Sequence, residues 1–280
     1  MLQQSVGDSM KDGSIPCGMV VSVGSGSLQS AVRYADGRVL KSVDVRWQCE
    51  PADALSRIED AVYEHPALFD DIPTAVLLSP TLSTLAPEEL LAQDSEKAVE
   101  RILDQFVPAK EKECFSESME GVPSTRLLYT LPSGVYSFIE RCFPTESIHH
   151  CLTPLISHFA KSARTERGDR IWVDVHGGVA DTIAFRDGEL ILANTWHWRA
   201  ETDIVYYLVY VWRTLRFDNS GGQLHLSAPT EIRNRLTSEL RRYIDYVTLP
   251  SLPRDVKESI AEGLPLSMVL TLRNMLSAQQ

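Results

Sequence analysis

Val173-Asp174-Val175-His176-Gly177-Gly178-Val179-Ala180-Asp181-Thr182 is the stretch that decides the fold of this chain. An apolar, branched strand carries an acid near its end, turns through two glycines and returns as a second antiparallel strand. Backbone N–H groups in such a turn can face a ligand phosphate while the acid holds a metal ion or a water. The alternative is a tight hairpin whose acid satisfies backbone donors. Outward from this turn, Ile171 to Val175 and Ala180 to Phe185 read as strands, Asp187-Gly188 as a hairpin turn and Glu189 to Asn194 as a third strand.

A helix over 201–216 follows. Its segment Ile204 to Trp212 is rich in β-branched and aromatic residues and would pass for a strand on propensity. Glu201 and Asp203 at one end, with Arg213 and Arg216 at the other, match the helix dipole and decide for helix. A strand (Gln223 to Ser227), a helix after Pro229, a strand (Tyr243 to Val247) and a last helix begun by Pro265 complete this half.

The same unit occurs earlier. Gly18 to Val23, Leu28 to Tyr34 and Arg38 to Val45 read as three strands with Asp36-Gly37 as the hairpin turn, and Pro51 to Tyr63 spaces Leu55, Ile58 and Val62 as a helix. The loop matching the decisive one runs Val21-Ser22-Val23-Gly24-Ser25-Gly26-Ser27-Leu28. Two copies of strand, strand, Asp-Gly turn, strand and helix, starting at 18 and 170, imply a duplicated fold whose halves face each other around a cleft. Between them lie a strand at Thr74 to Ser79, a helix at Ser95 to Phe106, a loop over 107–123 with room for one edge strand, a strand at Thr125 to Leu131, a helix over 133–142, a strand at Ser147 to Leu152 and a helix over 154–164. The expected organisation is a disordered polar tail (1–17), a first lobe (18–165) with an inserted subdomain (66–123), and a second lobe (166–280).

With these loops, the Leu131-Pro132-Ser133 junction and the Leu152-Thr153-Pro154 start of the connecting helix, the chain resembles the actin-like ATPase superfamily of actin, heat-shock chaperones and sugar kinases. It is similar to the actin-like proteins of type IV pilus assembly, and more so to the bacterial family of domain of unknown function 3822. The resemblance implies an α/β class: a duplicated actin-like (ribonuclease H-like) fold with two lobes, each a mixed β-sheet with flanking helices, around a central nucleotide cleft. It marks Gly24, Ser25, Gly26, Asp174, Gly177, Gly178 and Asp181 as cofactor-binding positions. Active members have an Asp where this chain has Ser22, a glycine at His176 and a hydroxyl residue at Val179. Their adenosine-binding glycine pair falls at Ser227-Ala228-Pro229.

These departures point to a non-enzymatic scaffold or interaction protein with a degenerate nucleotide cleft, without catalytic or metal-ligating residues and without a committed cofactor. The alternative is an ATP-binding protein, whether slow ATPase, kinase-like phosphotransferase or nucleotide-dependent switch, that uses Mg·ATP, Asp174 and the Gly177-Gly178 loop. The partner expected is another protein.

Composition narrows the classes. The 280 residues are 44% hydrophobic and 23% charged, enough for large cores. A net charge of -11 argues against nucleic acid or an anionic membrane face as partner. Residues 1–165 carry 14 Lys+Arg against 23 Asp+Glu, with ten acids between Glu88 and Glu120 that read as a solvated helical face or a docking surface. Cysteines at 17, 49, 114, 142 and 151 form no CxxC pair and suit a reducing cytoplasm. The polar N-terminus does not read as a signal peptide, and the longest apolar run, Ile204 to Trp212, falls short of the ~20 residues of a membrane span, so no membrane insertion is expected.

Three further clusters invite chemistry. Strand alternation sends His149 and His150 to opposite faces, against a shared metal with Cys151 or His158. Cys142 and Cys151 read as small apolar residues before nucleophiles. Trp196-His197-Trp198 reads as core packing against helix 201–216, with Tyr206, Tyr207 and Trp212 as partners, or as a ligand platform.

Overall fold

The computed structural model describes residues 15–91, 95–106, 112–145 and 147–277. The first sheet begins with β1 (Pro16–Gly24), β2 (Ser27–Tyr34) and β3 (Val39–Arg46), an antiparallel meander. Helix α1 (Ala54–Tyr63) returns the chain to β4 (Thr74–Ser79), which lies parallel to β1. The chain then leaves the sheet as β5 (Leu82–Pro87), α2 (Ser95–Leu103), β6 (Lys112–Met119) and β7 (Val122–Pro132), a separate sheet of order β5-β7-β6. Helix α3 (Val135–Cys142) and β8 (Ile148–His150), parallel to β4, close the first sheet in the order β3-β2-β1-β4-β8.

Helix α4 (Thr153–Thr165) crosses to the second sheet. There β9 (Asp169–His176), β10 (Val179–Arg186) and β11 (Glu189–His197) repeat the meander. Helix α5 (Glu201–Thr214), β12 (Gln223–Ser227), α6 (Thr230–Leu240) and β13 (Val247–Thr248) give the order β11-β10-β9-β12-β13. Strand for strand this is the topology of the first sheet, with the same parallel and antiparallel neighbours. The duplication expected from the glycine turns and Asp-Gly hairpins is therefore present. The chain ends with α7 (Arg254–Ala261) and α8 (Leu266–Ser277).

Each sheet buries one face under its own helices. Met19, Val21 and Val23 pack with Ile58, Phe138 and Ile139; Ile171, Val173 and Val175 pack with Ile204, Leu208 and Leu236. The opposite faces share one core. Val20 and Leu77 from the first sheet, Trp172 and Ile183 from the second, and Ile156, Phe159, Val269 and Leu272 from α4 and α8 belong to a single buried cluster. Helix α8 packs on β1, β4 and α4, so the end of the second lobe's chain reaches the first sheet. The lobes are bound through two helices rather than linked by a tether.

Several local expectations change. The tail expected over 1–17 lies outside the described residues up to 14, and Pro16 and Cys17 already belong to β1. The insertion expected at 66–123 contains β4, a strand of the main sheet, while the separate sheet runs from Leu82 to Pro132. The edge strand expected within the loop over 107–123 is present as β6, Lys112–Met119 at the edge of the small sheet, half-buried along most of its length, so no alternation marks its bounds. The strand expected from Tyr243 shrinks to Val247–Thr248, and α7 precedes the last helix.

The acid-rich stretch is also not one helical face. Glu113 accepts the N–H of Gly134 at 3.0 Å, and Glu117 accepts the His150 N–H at 2.8 Å while its other oxygen meets His149 Nδ1 at 2.8 Å. Both acids fasten the small sheet to the first lobe.

Candidate functional site

The two hairpins place equivalent residues opposite each other. In the second lobe Asp174 pairs across the sheet with Asp181, and His176 with Val179. In the first, Ser22 pairs with Gln29, and Gly24 with Ser27. Ser22 therefore stands at the position of Asp174, Gly24 at that of His176, and Gln29 at that of Asp181. The third strands match too: Trp47 N–H donates to Gly26 O, and Trp198 N–H donates to Gly178 O, both at 3.0 Å. Arg46 and His197, one residue earlier on each strand, are thereby equivalent.

Between the hairpins lies a cleft of about 700 Å³. One wall presents Ser22, Gly24, Ser25, Gly26 and Arg46, and the other His176, Gly177, Asp181 and His197. Gly177 and Gly178 have φ of 50° and 85°, a two-residue turn that needs the left-handed region at both positions. A Cβ on Gly177 would stand 2.9 Å from Arg46 Nη2, so a guanidinium of the first lobe lies against the turn of the second. Gly24 and Gly26 answer to crowding instead, with Ser79 O and Trp47 O at 3.1 and 3.0 Å from the Cβ positions.

Of the expected site residues, Gly24, Ser25, Gly26, Gly177 and Asp181 come together on the cleft. Asp174 lies beneath, at 2% exposure, beside a small cavity with Trp172 and Leu266. Gly178 shapes the turn without lining the cleft. Ser227-Ala228-Pro229 also stays off the cleft, with Ala228 fully buried in the second core. Arg46, His197 and Thr195 were not singled out by sequence. Aligning Arg46-Trp47 with His197-Trp198 across the repeat would have found the first two.

The acids are already engaged. Asp174 Oδ2 accepts the N–H of Leu266, first residue of α8, at 2.7 Å. Asp181 Oδ2 meets His176 Nε2 at 3.0 Å, its Oδ1 accepts the Thr195 hydroxyl, and His176 Nε2 is 3.7 Å from Asp174 Oδ2. Burial pushes the Asp174 carboxyl up to about 7, against the pull of His176 and the Leu266 N–H. Burial would also raise Asp181, but the hydrogen bond and charge of His176 and the Thr195 hydroxyl hold it below the usual range. Burial works against a charged His176, yet Asp181 and then Asp174 carry it above its ordinary value. His176 thus acts as the internal counter-ion of Asp181, with Asp174 at 3.7 Å as a second, weaker neighbour.

A bound Mg·nucleotide is poorly served by this set. Mg²⁺ demands octahedral oxygen ligands, usually carboxylates that leave room for several waters. The ligand atoms of Asp174, His176 and Asp181 do lie within 4.8 Å of one another. However, the cluster includes a nitrogen, is buried, and has Leu266, His176 and Thr195 on its oxygens; Ser22 offers no carboxylate from the facing lobe. These acids do not fit the metal.

The other clusters are structural in character. His149 is held by Glu117, which raises its pKa by hydrogen bonding, whereas His150 is buried, lowered to about 4, and accepts the Leu152 N–H on Nδ1. Cys151 lines the cleft, but burial drives its thiol far upward, so no thiolate is available there. Trp196 stacks on Tyr207 at 5.7 Å and Trp198 Nε1 donates to Val179 O, as core packing requires. Tyr206 is exposed instead, and Trp212 pairs with Phe217.

Comparison with known proteins agrees with this architecture. The family described as "Protein of unknown function (DUF3822)" matches residues 17–247. No curated protein matches the chain by sequence. A solved structure from Bacteroides thetaiotaomicron, a protein with actin-like ATPase fold and unknown function, is 17% identical with a TM-score of 0.67, covering 87% of this chain and 95% of its own. The PilM-PilN type IV pilus biogenesis complex contains a chain 11% identical with a TM-score of 0.50, covering 92% and 98%. At these identities the likeness carries the fold: a duplicated, two-lobed actin-like architecture.

Proposed function

The chain belongs to the DUF3822 family and has the actin-like fold, and from that footing we propose that it is a non-enzymatic scaffold that binds a protein partner. The carrying observation is the engagement of Asp174 by the Leu266 N–H, together with Ser22 at the equivalent place in the first lobe. Hydrolysis of a phosphoanhydride needs a metal-bearing carboxylate and a placed water. Here one acid is absent and the other holds a helix. The solved relative in a PilM-PilN complex supports a role in which this fold serves assembly with another protein. No described helix is long and apolar enough to cross a membrane. The test is ATP turnover by the purified chain with Mg²⁺: a rate at background is expected, and a clear rate abolished by Asp174→Ala would overturn the reading.

The open cleft of about 700 Å³ between opposed glycine turns favours a second reading, in which nucleotide binds without hydrolysis and sets the angle between lobes. A ligand at 100 times its Kd adds about 2.7 kcal/mol to stability. Thermal melting with millimolar Mg·ATP and Mg·ADP separates the two, because an unchanged midpoint removes the second.

A further inference from the structure

We propose that the second lobe carries a binding pocket, separate from the cleft, for a carboxylate joined to an apolar body. It lies where β12 and β13 end and α6 and α7 begin, a cavity of about 290 Å³ that shares no lining residue with the cleft. The carboxyl ends of parallel strands are the usual crevice for ligands in open α/β sheets.

Three observations define the occupant. First, the walls are apolar: Ala228, Leu252 and Ile260 are buried there, and Leu249 at the rim is half exposed. Second, the charge is positive in a chain whose net charge is -11. Arg254 is paired with Glu258 at 2.7 Å, while Arg233 and Lys257 make no side-chain hydrogen bond or ion pair among the described residues. Third, these two cations occupy the first turns of α6 and α7, whose N-caps, Pro229 and Pro253, provide no side-chain acceptor. The first residues of the two helices, Thr230 and Arg254, both line the pocket.

The acids of the same first turns, Glu231 and Asp255, face Arg235 and Arg273, so Arg233 and Lys257 are left without a counter-ion among the described residues, and the uncapped first turns leave N–H donors open. A single anion between them would answer both. The apolar walls then require that the anion carry a hydrocarbon or aryl body, because a small hydrated anion gains nothing from Leu252 and Ile260. The volume sits at the lower limit of small-molecule sites and suits a short chain or one ring.

Calorimetric titration of the full chain with octanoate tests this, with acetate and octanamide as the charge-only and body-only controls. Saturable one-to-one binding of octanoate is expected, with no binding of either control. Arg233→Glu and Lys257→Glu should each weaken it by about tenfold or more. Neither variant should melt below the parent, since each replaces a cation in a helix first turn by an acid, and unliganded melting verifies this. A heptapeptide ending in a free Leu carboxylate, set against its C-terminal amide, tells whether the carboxylate comes from a protein end or a free small acid. Absence of octanoate binding, equal binding in both charge variants, or displacement by equimolar ADP would overturn the proposal. None of these readouts depends on the scaffold reading, which ATP turnover tests separately.

Discussion

Asp174 Oδ2 accepts the Leu266 N–H at 2.7 Å, and this bond ties the central strand of the second sheet to the helix that packs on the first. The acid at the end of the decisive strand therefore joins the lobes. Its Oδ1 is buried without a partner, and burial pushes the carboxyl up to about 7.

That displacement has a definite sign. Between its ordinary value of 3.8 and about 7, the folded chain keeps a proton on Asp174 that the unfolded chain has released. The contribution of this group to stability is thus greatest below the ordinary value and declines as pH rises through the window. His176, also raised, adds a decline of the same sign, whereas the lowered Asp181 contributes stability that is lost only on acidification. Asp174→Asn retains an acceptor for Leu266 and lacks the titration. Melting temperatures of the two proteins should therefore shift in favour of Asn from about pH 5 to about pH 8. A difference that stays constant with pH would refute the assignment.

Phe159 on α4 stacks on Trp172 of β9 at 4.9 Å and is 2% exposed. Phe159→Ala removes a ring from the core shared by both lobes and should cost about 3–5 kcal/mol in denaturant unfolding. Because this core is continuous, one transition is expected with the loss spread over both sheets in hydrogen exchange. Protection lost from the second sheet alone would mean that the lobes fold independently.

How much of this was legible in the sequence depends on whether a local rule or a tertiary contact fixes the element. The hairpins were legible because Gly37, Asp187-Gly188 and Gly177-Gly178 adopt positive φ, and few residues supply it. Helix α5 was legible because its terminal charges match the dipole against a β-like interior. An edge strand within 107–123 was legible, but the bounds of β6 were hidden because both its faces are half covered, so no alternation of period two is written into Lys112–Met119. The return of α8 to the first sheet was hidden as well, since an apolar helix does not state which surface will cover it. At the site, the glycines marked the turns, but the role of His176 follows only from seeing two buried carboxylates beside it.

Gly177 has φ of 50°, and its Cβ position is 2.9 Å from Arg46 Nη2, the mobile end of a side chain that can withdraw. Gly177→Ala therefore meets a conformational cost more than a steric one. About 1 kcal/mol is expected, seen as a lower urea midpoint at unchanged slope. A loss of several kcal/mol would show instead that Arg46 is fixed against the turn.

A glycine at position 176 makes the opposite case. His176→Gly opens space beside the second turn, on the wall of the cleft. It also removes the counter-ion of Asp181, a residue 2% exposed that keeps only the Thr195 hydroxyl. Leaving one member of a buried ion pair uncompensated should cost about 3 kcal/mol, measured by denaturant unfolding at neutral pH. Ser22 still offers no carboxylate from the first lobe, so Mg²⁺-dependent ATP turnover should remain at background. A variant that keeps its stability and gains turnover would mean that His176 blocks a working site; a destabilised, inactive one fits a side chain that completes the core beneath the cleft.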